Sequence, residues 1–493
     1  MSKTVNVKKL FGNSMIYAIC GIGVKCFSFF LIPIYTSYLT TADYGMTSIV
    51  GSFLTTSSFI TALSLFSAVL RFYVDLKNDE RQLRRFYGTI ITFVFLFSIV
   101  VSIVLIIGKS LLLKYVLIDM DFYPTVMITI VSMIFYCQYS IYENILKSQQ
   151  KATEYAIVMI SYVILTVVLN LFFIIQLKMG GNGVLLANLL SYVIYFIYFI
   201  GRLICTKQIE FCIDKRLLKE ALKYSIPIIP HNLSTQIAIL ISKILIGTTD
   251  TVAMVGLFSI ASQFGNIADT IQGYVSTAYG PWFYEQLSAK QEGITTHIRR
   301  VSNMLTLVIG FFMLGISLFS HDYIVLFLHK SYALAWIYVP LLVSVFLIKI
   351  IYYFYVEVLF FYKSASRLLF IATLSSSFLN VIISYFSIQS FGVLGSIIAD
   401  IIAMLVRVAI VVYISRKFSD VGLKLGDFIK NIGFILTMMI IGLSWTYMYY
   451  QTSFSILEFL YRCMIIVMYL MICMMKYKVS VMSIISQVRN KFK

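Results

Sequence analysis

The stretch "SMIYAICGIGVKCFSFFLIPIYTSYLTTADYGMTSIVGSF", residues 14–53, decides the fold. Residues 14–38 are apolar apart from Lys25 and scattered hydroxyls; the short turn "TTAD" follows, and a second apolar run opens at residue 44. A helix rises 1.5 Å per residue, so about 20 apolar residues cross a bilayer core about 30 Å thick. The stretch therefore reads as two membrane-crossing helices joined by a tight turn, with a cation set inside the first.

The pattern recurs along the chain. Further runs of that length lie at about 44–70, 86–108, 123–145, 153–177, 182–201, 221–246, 251–277, 299–320, 333–358, 368–388, 392–415, 429–450 and 456–475. With the first run, 14–38, the sequence predicts an all-α integral membrane protein of about fourteen transmembrane helices. A β-barrel is excluded, because barrel strands alternate in polarity and are far shorter. Of the 493 residues 60% are hydrophobic and only 12% charged, whereas soluble domains carry about 25% charged residues. The net charge of +18 could suggest nucleic acid, but its cations sit in short loops between apolar runs, so no nucleic-acid partner is expected.

Seven cysteines occur without CxxC or CxxxH spacing, and five lie inside apolar runs, so neither a disulfide framework nor a metal site is expected, and no cofactor. The basic N-terminus leads into the first run without an A-x-A-like cleavage site, which predicts a retained span. Loop charge sets the topology. Connections on the N-terminal side collect Arg71, Arg81, Arg84, Arg85, Arg202, Arg216, Arg299 and Arg416 among many others; the opposite connections hold only Lys109, Lys114, Lys178 and Lys330. The positive-inside rule places both termini in the cytoplasm. The basic stretch "IDKRLLKEALKY", 213–224, is either a topology anchor or a helix lying on the membrane surface.

An internal repeat is present. "LTTADYGMTSIVGSF" at 39–53 aligns with "TTDTVAMVGLFSIASQF" at 248–264 when Gly45 is set on Gly256, which also brings Ser48 onto Ser259. The expected organisation is two parallel six-span halves, residues 1–206 and 207–418, followed by two extra spans and a tail at 419–493.

Those residues carry a family resemblance. Asn13 early in the first span, Pro33 late in it, and Leu39-Thr40 followed by Asp43-Tyr44-Gly45 resemble the N-terminus of Wzx-type polysaccharide flippases of the MOP superfamily. "LKYSIPIIPHNLS" and "VGLFSIASQF", with Pro227, Pro230 and Gly256, match the second half in the same way. One departure stands out: where many relatives carry Asp-Arg late in the seventh span, this chain has Ser242-Lys243. The resemblance implies a MATE-like MOP fold of two six-helix lobes around a cavity open alternately to either side, with two C-terminal helices added. It implies a transporter rather than an enzyme, resident in the bacterial inner membrane. Its cargo would be an undecaprenyl-pyrophosphate-linked oligosaccharide repeat unit, such as an O-antigen or capsule unit. Candidate partners are membrane lipid, H+ or Na+ as coupling ion, and a polysaccharide polymerase with its chain-length regulator.

Ionisable residues inside spans are rare and are functional candidates by default. Lys25 falls near the bilayer midplane and is either a contact for the pyrophosphate or a lysine satisfied by backbone carbonyls or a buried acid. Lys243, Lys349 and Arg407 are the further candidates for that anion, Arg407 because a guanidinium grips phosphate with a planar fork. Asp269 is either a coupling carboxylate or the neutralising partner of a lysine. Asp400, two turns before Arg407, is expected to share a polar network with it. His231 and Gln236 follow Pro227 and Pro230, which should interrupt the helix; with Asn13 they complete the polar candidates. Glu458 and Arg462, four apart, read as a local salt bridge. Two competing functions are a MATE-type drug or metabolite antiporter and a polyprenol-dependent membrane enzyme. The enzyme needs a sizeable loop that the short outer connections do not offer, and no P-loop motif for ATP hydrolysis is present.

Overall fold

The turn at 39–43 forms as its residue types dictate. Thr40 caps the following helix: its hydroxyl accepts the Asp43 N–H at 3.1 Å, and the Asp43 carboxylate accepts the Thr40 N–H at 3.1 Å. This reciprocal box satisfies two donors that a helix start would otherwise leave orphaned. The second Asp43 oxygen accepts the Gly181 N–H at 3.0 Å, which ties the turn to a distant helix.

The computed structural model describes residues 7–118, 120–289, 293–362 and 368–491, with side chains from 20 to 476 within those ranges. The Asn13 side chain lies outside them. Among the described residues every regular element is helical. In chain order these are α1 (Val7–Tyr38), α2 (Thr41–Thr61), α3 (Leu65–Leu76), α4 (Glu80–Ile107), α5 (Lys109–Tyr115), α6 (Met127–Ser148), α7 (Ala152–Leu171) and α8 (Gly180–Cys205). They continue with α9 (Lys215–Ser225), α10 (Ile229–Thr249), α11 (Val252–Ala289), α12 (Ile294–Phe327), α13 (Tyr338–Phe361), α14 (Leu369–Phe418), α15 (Leu425–Tyr449) and α16 (Ile456–Lys491).

Among the described residues, 11 helices can cross a membrane by length and hydropathy, or up to 12 if the pair α2 and α3, bent by 49° at Ala62–Ser64, counts as one span. The expected figure of fourteen differs for two reasons. Runs 368–388 and 392–415 are counted together as α14, although the chain kinks at Gly392 (φ 53°) into two helical arms that hydrogen-bond to each other. The run 251–277 lies on α11, whose polar residues, from Ser259 to Gln272, keep it out of that set. The prolines of "IPIIP" interrupt the chain as expected, but only by one 3-10 turn, Ile226–Ile228, with Pro230 at the start of α10, where a missing N–H costs least.

By contacts the chain forms two compact units. The first holds residues 1–256 with 388–392; the second holds 257–387 with 393–493. The first has its core at Leu65, Phe86, Tyr87, Ile90, Cys137, Tyr142 and Phe199. Basic α9 is part of it: Leu217, Ala221 and Ser225 are buried against α3 and α4. The stretch 213–224 is thus docked on protein through one face. Its cap, Asp214, accepts the Leu217 and Arg216 N–H groups, and these bonds hold its carboxyl below the usual range. In the second unit α12 packs with α13, α15 and α16, and fully buried Trp336 donates to the Gln451 carbonyl at 2.6 Å.

The repeat register has a physical counterpart. A side chain on Gly45 would collide with the Val252 carbonyl, and one on Gly256 with the Thr41 carbonyl. Each glycine faces the carbonyl four residues before the other, so α2 and the start of α11 cross backbone to backbone, as small residues allow between membrane helices.

Candidate functional site

Membrane helices gain little by burying ionisable groups, so where such groups sit and what they touch defines the candidate site. Four clusters hold most of the residues singled out above.

The first lies between α10 and α2. Lys243, partly buried, donates to Ser48 Oγ at 2.7 Å and Ser52 Oγ at 2.8 Å. These serines are four apart and share a helix face. Among the described residues Lys243 forms no ion pair. Two turns earlier, the Gln236 carbonyl accepts the Thr56 hydroxyl at 3.3 Å. His231 is exposed, and so is Lys25 on α1.

The second cluster joins the two arms of α14. Arg407 donates from Nε to Ser376 Oγ at 2.7 Å and from Nη2 to Ser377 Oγ at 3.4 Å. Asp400 accepts from Asn380 at 2.8 Å instead. Asp400 and Arg407 thus bind neighbouring turns of the same arm, which makes the expected shared network one without direct contact. Arg407, like Lys243, is held by paired serines and forms no ion pair among the described residues.

The third runs along α11 and α13. Residues 346, 349, 353 and 357 recur at helical spacing on one face of α13. Opposite them, Gln272 donates to the Phe346 carbonyl at 2.6 Å, Lys349 pairs with Asp269 at 2.6 Å, and the Tyr353 hydroxyl donates to Asp269 at 3.2 Å. Ser276 donates to Glu357 at 2.9 Å, and Tyr284 also donates to that carboxylate. Lys349 stands over the Phe346 and Tyr353 rings as well. Asp269 thus has a lysine as its ion-pair partner in this structure. The seam also contains a residue that the sequence reading missed. Glu357 is buried, and among the described residues its partners are hydroxyls and no cation. An acid inside an apolar run was the available signal, but Glu357 stands at the edge of its run.

The fourth cluster is closed. Arg462 Nη2 meets Glu458 at 2.8 Å, Nη1 meets Asp322 at 3.1 Å and the Leu318 carbonyl at 2.7 Å, and Thr446 donates to Glu458. His321 donates from Nε2 to the Tyr450 carbonyl at 2.6 Å, which fixes that nitrogen as protonated. Glu458 and Arg462 form the expected local bridge, but it extends into a three-helix lock.

Two features complete the inventory. A cavity of about 190 Å³ in the first unit is lined by hydroxyls and amides, including Thr47, Thr55, Ser132, Tyr136, Asn188 and Tyr192. Beside it Tyr139, Tyr162, Tyr192 and Tyr195 pack on one another, with Tyr139 and Tyr162 ring centroids 4.5 Å apart. Among the described residues no group of His, Cys, Asp and Glu could hold a metal ion.

Long apolar helices carrying isolated, serine-held cations define a multi-pass membrane protein with a transporter fold. The solved inward closed structure of the lipid II flippase MurJ covers 95% of this chain and 100% of its own at a TM-score of 0.69 and 17% identity. An inward-facing multidrug resistance MATE family transporter of the MOP superfamily covers 82% and 99% at a TM-score of 0.58 and 16% identity. These likenesses establish the MATE- and MurJ-like fold. Residues 10–287 match the polysaccharide biosynthesis protein family, and the chain belongs to that family. Among curated proteins, Lsg locus putative protein 1 of Haemophilus influenzae is 24% identical over 292 residues, 57% of this chain and 68% of that protein.

Proposed function

We propose that the chain flips a polyprenyl-pyrophosphate-linked oligosaccharide repeat unit, of O-antigen, capsule or related glycan type, across the bacterial cytoplasmic membrane by alternating access. The observation that carries this reading is the state of Lys243 and Arg407. Each is a cation in an apolar helix, held by a pair of serine hydroxyls without a carboxylate in ion-pair range. Hydroxyls orient a cation but leave its charge uncancelled, so each of the two could meet a pyrophosphate oxygen. Family membership and the fold shared with a lipid II flippase support the same cargo class. In this reading both termini face the cytoplasm, Lys25 offers a first, exposed contact, and Asp269 paired with Lys349 couples H+ or Na+ to the cycle. A polymerase and chain-length regulator would take the delivered unit.

The test is complementation of glycan export in a strain lacking its own flippase. Lys243→Gln and Arg407→Gln should each lower export about tenfold or more, at normal protein abundance, by removing a charge-assisted contact. Lys25→Glu should lower it too. Full export by both Lys243→Gln and Arg407→Gln would sink the proposal. A second reading, an ion-coupled MATE-type antiporter, is favoured by the MATE structures of the same fold and by the Asp269–Lys349 pair between α11 and α13. Drug resistance on expression, with glycan export unaffected, would select it.

A further inference from the structure

The second unit carries a basic pocket that the transport reading does not use. We propose that it binds the headgroup of an anionic glycerophospholipid of the surrounding bilayer. The pocket, about 440 Å³, is formed by α12, α15 and α16; its charged lining is Arg299, Arg300, Lys430 and Lys476 against the single carboxylate of Asp427.

That carboxylate is already committed. Arg299 grips it with both Nε and Nη2, at 2.5 and 2.9 Å, and Asn303 donates to it at 3.2 Å. The network then continues inward through buried amides: Asn431 donates to Asn303 at 2.8 Å, and Lys476 donates to Asn431 at 2.9 Å. Lys476 is thereby positioned by a buried amide on a neighbouring helix rather than left to sample solvent. Arg300 and Lys430 are exposed and form no ion pair among the described residues. Four cations around one satisfied acid leave an excess of positive charge that a phosphodiester matches in charge and in acceptor number.

The occupant is a lipid because of where the pocket lies. All three helices are long and apolar enough to span a membrane. On α16 the exposed residues Val467, Met471 and Met475 recur every fourth position and end at Lys476. This is a lipid-facing row that terminates at the pocket, so acyl chains along the row would deliver a headgroup to the cations. Basic pockets between membrane helices at the cytoplasmic border bind anionic headgroups in this way.

The experiment uses the full chain purified in a neutral detergent, with cardiolipin, phosphatidylglycerol and phosphatidylcholine titrated by native mass spectrometry. The proposal expects saturable binding of the two anionic lipids and none of phosphatidylcholine. Arg300→Gln with Lys430→Gln should weaken anionic-lipid binding about tenfold. The charge-conserving pair Arg300→Lys with Lys430→Arg should retain it, which separates lost charge from lost fold. A matched control neutralises Lys77 and Lys207, which line a basic pocket of about 330 Å³ in the first unit, and should change binding less than about twofold. Equal loss in the control would show general surface attraction and overturn the proposal. So would undiminished binding by the Arg300→Gln, Lys430→Gln protein, or displacement of lipid by equimolar inorganic phosphate, which would mark a soluble-anion site.

Discussion

Two arginines in the second unit show how the same side chain can be put to opposite uses. Arg407 and Arg462 both sit within apolar helices. Arg462 is fully buried, touches two carboxylates and a carbonyl, and links α12 and α16. Arg407 is partly exposed and rests on two serines. The first has its charge cancelled in place and can act only as a lock. The second keeps its charge and can meet an anion. Burial and acceptors both separate the two: the enclosed arginine meets carboxylates, the partly exposed one meets hydroxyls.

The contrast can be broken most severely at the lock. Arg462→Met leaves Glu458 and Asp322 buried without their cation, and should cost about 3–5 kcal/mol, read as a fall in the unfolding temperature of the purified protein. Stability equal to that of the unchanged protein would mean those acids are already neutral. Arg407→Gln is the sharpening partner. It removes hydrogen bonds to two hydroxyls and no ion pair, so its stability cost should stay near 1 kcal/mol while export falls. A loss as large as that of the Arg462 variant would make Arg407 structural as well. The smallest effect is expected at Asp269→Asn. Its carboxylate is about a third exposed, at 37%, so breaking the 2.6 Å pair with Lys349 should cost about 1 kcal/mol or less after screening. Transport that loses its dependence on an ion gradient in that variant would support coupling through the pair.

The same pair of arginines shows how far the sequence could be read. That both lie within spans, and that Glu458 stands one turn before Arg462, is visible from spacing alone. That Asp322, 140 positions earlier, completes the lock is not, because it depends on which helices pack together. Lys349 and Asp269 were each legible as intramembrane charges, and their pairing was not, for the same reason. The spans themselves were legible because continuous apolar runs have one physical use. Their number was harder to fix: α14 is two helical arms joined at the Gly392 kink, and α11 is polar along the face that meets α13. Lys25, the conspicuous cation of the first span, is exposed in the structure, and spacing alone could not tell that from enclosure.

The crossing of Gly45 and Gly256 carries a consequence of another kind. Each glycine accommodates the carbonyl that stands four residues before its counterpart, so the contact reads the same from either helix. Such a self-complementary patch is what two identical subunits present to each other across a two-fold axis. Here both members of such a patch lie on one chain, one on α2 and one at the start of α11. Neither member of that pair can acquire a side chain without forcing its twin's backbone away, so the two positions are bound to a common fate.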